Sequence, residues 1–169
     1  MSVEPPTYAY GPGLLPSGAD DGRGIWRWRG LLPLDGSDVY PLQVGGTPLV
    51  ASRGLRQTLG VSGLFLKDET RTPTGSNKDR ATALCLVDAA RQGAASIACA
   101  SSGNVACSLA AGAAAMGLQA FIFVSAHSVS PAKVAFMRSF GATVVLVDGP
   151  YERAYRLCDD ACARFGRYN

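Results

Sequence analysis

Lysine is scarce in this chain. The 169 residues hold three, Lys67, Lys78 and Lys133, and a single histidine, His127. No run of five or more basic residues occurs, and a net charge of +3 spread among alanines and glycines argues against a nucleic-acid partner. The N-terminus, MSVEPPTYAYGPG, lacks a basic segment followed by an apolar core, so it does not read as a signal peptide. No unbroken apolar run is long enough to cross a bilayer. The richest stretch, residues 105–124, is interrupted by Ser108, Gly112, Gly117 and Gln119, and reads as a helix followed by a strand.

Paired cysteine motifs are missing too. Five cysteines (Cys85, Cys99, Cys107, Cys158 and Cys162) lie mostly in apolar segments, as small buried hydrophobes in a reducing compartment do. The expected location is cytoplasmic. Cys158 and Cys162 are four apart and could share a helix face, but no histidine or second cysteine pair stands near them to complete a metal site. None is expected.

What is present is the composition of a globular chain, 47% hydrophobic and 17% charged. Residues 1–24 are rich in Pro, Gly, Asp and Ser without a period and read as an irregular arm; residues 25–169 form the ordered part. Trp26 and Trp28 are expected to anchor the arm. Extended pieces are expected at 47–51 and 64–68, with a short helix between them. Beyond these, helix and strand alternate: helix 77–92, strand 96–100, helix 105–116, strand 119–124, helix 131–140, strand 143–148 and helix 151–165. Gly93, Gly117 and Gly141 act as stops and Pro131 as a start. The strands IACA, AFIFV and TVVLV are nearly continuous in apolar residues, which marks parallel strands buried on both faces. The expected fold is α/β, a three-layer αβα sandwich around a mostly parallel sheet. Ligands of such sheets bind beyond the carboxyl ends of the strands. The loops there are TRTPTGSNK, SSGN, SAHSVS and DGP.

Two of those loops carry chemistry. Lys78 follows Thr-Gly-Ser at the mouth of a helix, with Ser76 a plausible N-cap. Helix dipole and burial would both disfavour its ammonium form, and a lysine that sheds its proton readily can bond a carbonyl carbon. A solvated lysine at a helix start would show the same spacing. In SSGN, backbone N–H groups of the strand-to-helix turn converge on an anion-binding point, Gly103 permits close approach, and Asn104 both donates and accepts. Plain capping by serine and asparagine fits that turn equally. His127 reads as a loop residue.

The words WRWRGLLPL, VGGTPLV, LFLKDETRTPTGSNKDRAT, CASSGNVACSLAAGAAAMGL and GATVVLVDGPYERA resemble, in order and spacing, the N-terminal half of threonine synthase and its relatives, pyridoxal-phosphate enzymes of fold type II. The resemblance runs from about residue 25 to the C-terminus. It implies that Lys78 holds pyridoxal phosphate as a Schiff base and moves protons on the substrate. It also implies that Asn104 bonds the cofactor's phenolic oxygen, and that Ser101, Ser102 and Gly103 receive the carboxylate of an amino-acid substrate. Thr74, Ser76 and Arg80 would line the site. The implied activity is that of a lyase of amino-acid biosynthesis, converting O-phosphohomoserine to threonine and phosphate. A serine/threonine dehydratase, a phosphoserine-using synthase such as cysteate synthase, and a non-catalytic module binding a small anion or a partner chain are the alternatives.

Asn77 and Ala81 depart from the aromatic residue and glycine common in the family, and no cysteine-bearing N-terminal extension is present. The family's glycine-rich phosphate loop and the residue facing the pyridine nitrogen have no counterpart here. The expectation is therefore a truncated fragment with an open sheet edge, completed by a second copy or by a complementing C-terminal half.

Overall fold

The computed structural model describes residue 11 and residues 22–37, 39–166 and 168–169. The irregular arm lies almost wholly outside the described residues. The chain enters through a 3₁₀ segment, Gly24–Leu31, then forms β1 (Leu49–Ala51), α1 (Arg53–Leu59), β2 (Phe65–Lys67) and a second 3₁₀ turn, Glu69–Arg71. Next come α2 (Lys78–Arg91), β3 (Ser96–Ala100), α3 (Asn104–Ala115), β4 (Gln119–Ser125), α4 (Pro131–Ser139), β5 (Thr143–Val147) and α5 (Tyr151–Phe165).

β3, β4 and β5 form one parallel sheet in that order, with Ile97 opposite Ala120 and Phe121 opposite Thr143. The alternation of a strand with period two sends its residues to two cores. Ile97, Ile122 and Val124 face α2, α3 and α4, where Leu86, Val87, Leu109 and Met137 are buried. Ala98, Phe123 and Val147 face α5, which presents Ala154, Cys158 and Cys162 at helical spacing. Three layers result, as the sequence implied.

The extended pieces expected at 47–51 and 64–68 form β1 and β2, which pair antiparallel in a separate two-stranded ribbon. Two expectations are corrected. Of the two tryptophans only Trp26 is an anchor, 5% exposed and edge-on to the Tyr40 ring. Trp28 stands at a kink in the 3₁₀ segment, is 46% exposed and lies under the Arg27 guanidinium. Among the cysteines, Cys107, Cys158 and Cys162 are buried, but Cys85 is exposed.

After α5 the chain turns back to the far side of β3. Tyr168 bridges Ile97 in parallel, and the Ala98 N–H donates to the Tyr168 carbonyl at 2.8 Å. Successive strands thus advance from β3 through β4 to β5 and then jump behind the start. The point where strand order reverses is the carboxyl end of β3, and crevices open at such points. The loop at that point is residues 101–103. Two turns further along α3, a Cβ on Gly112 would come within 2.4 Å of Leu86 Cδ1 and 2.6 Å of the Tyr40 hydroxyl oxygen, so glycine there leaves room for the buried Leu86 and Tyr40 side chains.

Candidate active site

α2 ends four residues before β3 begins, at the amino edge of the sheet, so its first turn lies at the carboxyl edge. α3 starts at that same edge, directly after β3. The two helices pack side by side, and the Thr82 and Ser108 hydroxyls, both buried, share a short hydrogen bond between them. Thr82 is four residues into α2 from Lys78, and Ser108 four residues into α3 from Asn104. One turn is about 5.4 Å and packed helix axes are about 8–10 Å apart. Lys78 and Asn104 therefore open neighbouring helices at the same height.

Lys78 is exposed, and its ammonium makes no ion pair or hydrogen bond among the described residues. The burial expected of it is not found, because it stands at the first residue of α2, outside the layer of side chains that packs on the sheet. Ser76 is not the cap residue. Asn77 occupies that position without a side-chain bond, while the buried Ser76 hydroxyl accepts from the Lys78 N–H at 3.3 Å. The turn before it is held from inside. The Asp79 carboxylate, 2% exposed, accepts from the Thr74 N–H at 2.8 Å and from the Thr74 hydroxyl at 2.6 Å. The Thr72 hydroxyl donates to the Ser76 carbonyl at 2.9 Å, and Gly75 takes φ +70°, a conformation costly for any other residue.

Arg80 does not point a free guanidinium at this edge. Its Nε donates to Glu69 Oε2 at 2.9 Å and its Nη2 to Glu69 Oε1 at 2.8 Å, a bidentate pair. The Thr47 hydroxyl donates to the same Oε1 at 2.6 Å. Hydrogen bonds from Arg80 and then Thr47 hold the Glu69 carboxyl down to about 2. Arg80 thus fastens the Glu69–Arg71 turn to α2. A cleft of about 640 Å³ opens beside that turn, lined by Val50, Leu66, Glu69, Thr70, Ser76 and Asn77.

In the second loop, the Ser101 N–H donates to the Phe123 carbonyl and the Ser101 hydroxyl accepts from the Gly103 N–H at 3.2 Å. Ser101, Ser102 and Gly103 are half-buried, whereas Asn104 is exposed with an unengaged carboxamide. Asn104 and Thr74 both line a smaller cleft of about 240 Å³ at the start of α4. His127 lies apart, in the turn after β4, exposed and 2.9 Å from Asp148. Cys158 and Cys162 face the sheet, and no group of three or more potential metal ligands exists among the described residues. Sequence reasoning missed Glu69, Thr82 and Ser108, which no motif marks. Asp79 could have been singled out as an acid in the first turn of a helix, where the dipole favours it.

An unpaired lysine and a free asparagine at matched helix starts, on the switch point of a parallel sheet, agree with the family that the sequence motifs resemble. A family model described as pyridoxal-phosphate dependent enzyme matches residues 40–169. The chain belongs to this family. Its members use pyridoxal phosphate, and the architecture is that of fold type II. Threonine synthase from Methanocaldococcus jannaschii is 36% identical over 132 residues, covering 78% of this chain and 33% of that protein. Threonine synthase from Methanosarcina acetivorans is 34% identical over 140 residues, 83% of this chain and 34% of that protein. Among solved structures, cysteine synthase from Entamoeba histolytica superposes with a TM-score of 0.67 at 25% identity, over 74% of this chain and 40% of that one. Diaminopropionate ammonia lyase from Escherichia coli, with a TM-score of 0.61 at 19% identity over 72% of this chain and 39% of that one, shares the fold. The chain spans about a third of the length of the curated relatives named above. No helix among the described residues is long and apolar enough to cross a membrane.

Proposed function

We propose that this chain is the cofactor-anchoring part of a pyridoxal-phosphate lyase of threonine-synthase type, acting on an O-phosphorylated amino acid. One observation carries the reading: the Lys78 amine, free of any carboxylate, opens α2 level with the unengaged Asn104 at the opening of α3. These residues fit the cofactor. Lys78 would hold its aldehyde carbon, and the Asn104 carboxamide would donate to the ring oxygen beside it. Bound there, pyridoxal phosphate supplies an electron sink for charge developing on the substrate carbons. Lys78, once its amine is free, takes the proton from the substrate α-carbon and returns it elsewhere on the skeleton. The turn at Ser101, Ser102 and Gly103 offers the Ser102 N–H and the serine hydroxyls to the substrate carboxylate, while the Ser101 and Gly103 N–H groups are spent on the Phe123 carbonyl and the Ser101 hydroxyl and hold the turn in shape. Thr74 and Ser76 keep the Lys78 turn in shape through Asp79 and through the Lys78 N–H. Arg80 acts at one remove, by fixing Glu69.

The identities to two threonine synthases support this choice of substrate over dehydratase chemistry. The experiment is to add pyridoxal phosphate to purified protein and record the visible absorption of the lysine-bound cofactor. Wild type should show the band, and Lys78→Ala should lose it while keeping its far-UV circular dichroism. A band that survives the substitution would assign the cofactor to another lysine.

A further inference from the structure

Lys133 repeats the oddity of Lys78. It is the third residue of α4, in the first turn, where the helix dipole disfavours a cation. Its backbone N–H donates to the Ser130 hydroxyl at 3.3 Å, which seats the turn. Its ammonium, half-buried, has no carboxylate or hydrogen-bond partner among the described residues. Lys67, in contrast, is tied to the Thr47 carbonyl. Lys133 lines the cleft of about 240 Å³ together with Thr74, Asn104, Cys107, Ala132 and Phe136. Burial raises the Cys107 thiol, and the Lys133 charge opposes that rise, so the ammonium lies within electrostatic reach of the first turn of α3.

We propose that Lys133 is a specificity residue that receives the anionic substituent of the substrate, a phosphate ester, in the cleft beside Asn104. The inference rests on the proposed function above and assigns its leaving-group side. A cation without a carboxylate, held where its own helix repels it, is stabilised when an anion arrives. The same anion can meet the Ala132 N–H in the first turn of α4, where Pro131 has no N–H and the Lys133 N–H is taken by Ser130. Thr74 and Asn104 line the same cleft, which puts this pocket next to the atoms that would hold the cofactor.

The scarcity of lysine makes the test direct. Protein labelled with ¹⁵N only at lysine should give three side-chain resonances, assigned by Lys→Arg variants. Titration with inorganic phosphate, against chloride at matched ionic strength, should shift the Lys133 resonance and leave Lys67 unmoved. Lys133→Gln should bind phosphate about tenfold more weakly or worse, and Lys133→Arg should retain it. Separately, pyridoxal phosphate should alter the Lys78 resonance. If phosphate leaves Lys133 unshifted, or binds Lys133→Gln as it binds wild type, the proposal is overturned, whatever Lys78 does. If Lys78 ignores the cofactor while Lys133 still takes phosphate, the cofactor assignment falls instead.

Discussion

The Thr82 hydroxyl meets the Ser108 hydroxyl inside the α2–α3 contact, one helical turn below Lys78 and Asn104. Both side chains are almost fully buried, and Thr82 also reaches back to the Lys78 carbonyl at 3.1 Å. The pair sets the relative height of two helix starts, and so of the two groups that would grip one small molecule. Thr82→Val keeps the shape but leaves the Ser108 hydroxyl buried without its partner. It should cost about 1–3 kcal/mol in chemical denaturation and weaken cofactor uptake. Thr82→Val with Ser108→Ala removes both polar groups and should recover most of the stability.

Asp79 carries the turn that precedes Lys78. With its carboxylate gone, as in Asp79→Ala, the Thr74 N–H and hydroxyl lose their acceptor. Hydrogen exchange at residues 72–78 should quicken at least tenfold, with global stability down by about 1–3 kcal/mol. Unchanged exchange there would mean the turn is held by Gly75 and Thr72 alone.

The Glu69–Arg80 pair predicts an acid-sensitive step. The Glu69 carboxyl is lowered from 4.5 to about 2 by hydrogen bonds from Arg80 and Thr47. Its stabilisation is complete above the unfolded value and is lost as pH falls through the folded one, between about 4.5 and about 2. Both side chains are roughly a third exposed, so solvent screening limits the effect to about 1 kcal/mol or less. Melting temperatures of wild type and Glu69→Gln should converge across that window, and high salt should shrink the difference above it.

Apolar side chains remain in contact with solvent on two surfaces. Leu49, Val50, Phe65 and Leu66 are exposed on the β1–β2 ribbon, and Leu146 is exposed on β5, an edge strand of the parallel sheet. Such surfaces drive association. Sedimentation should reveal concentration-dependent self-association of the isolated chain, reduced by Phe65→Lys and Leu146→Lys. A monomer at all concentrations would count against it.

Much of this molecule was legible in one dimension because its signals are local. Glycine stops, the Pro131 start and apolar runs of five to seven residues depend on neighbours in sequence, and β3 and α5 fall where spacing places them. Lys78 and Asn104 were legible for the same reason, each standing where a turn becomes a helix. The role of Arg80 was not, since its partner Glu69 is eleven residues away and only folding brings the two carboxylate oxygens to its fork. Nor was the antiparallel pairing of β1 with β2, which depends on how α1 and the loop after it return the chain rather than on the strands themselves.

The sequence by itself determined the elements and the layering and set Lys78 and Asn104 at helix starts, since periodicity and turn chemistry act over a few residues. Only the tertiary structure decided that the chain doubles back behind β3, that a pair of hydroxyls levels α2 with α3, and that Lys133 shares a cleft with Asn104. Those relations join residues 26, 29 and more than 70 positions apart, which only the folded chain brings within reach of packing and hydrogen bonds.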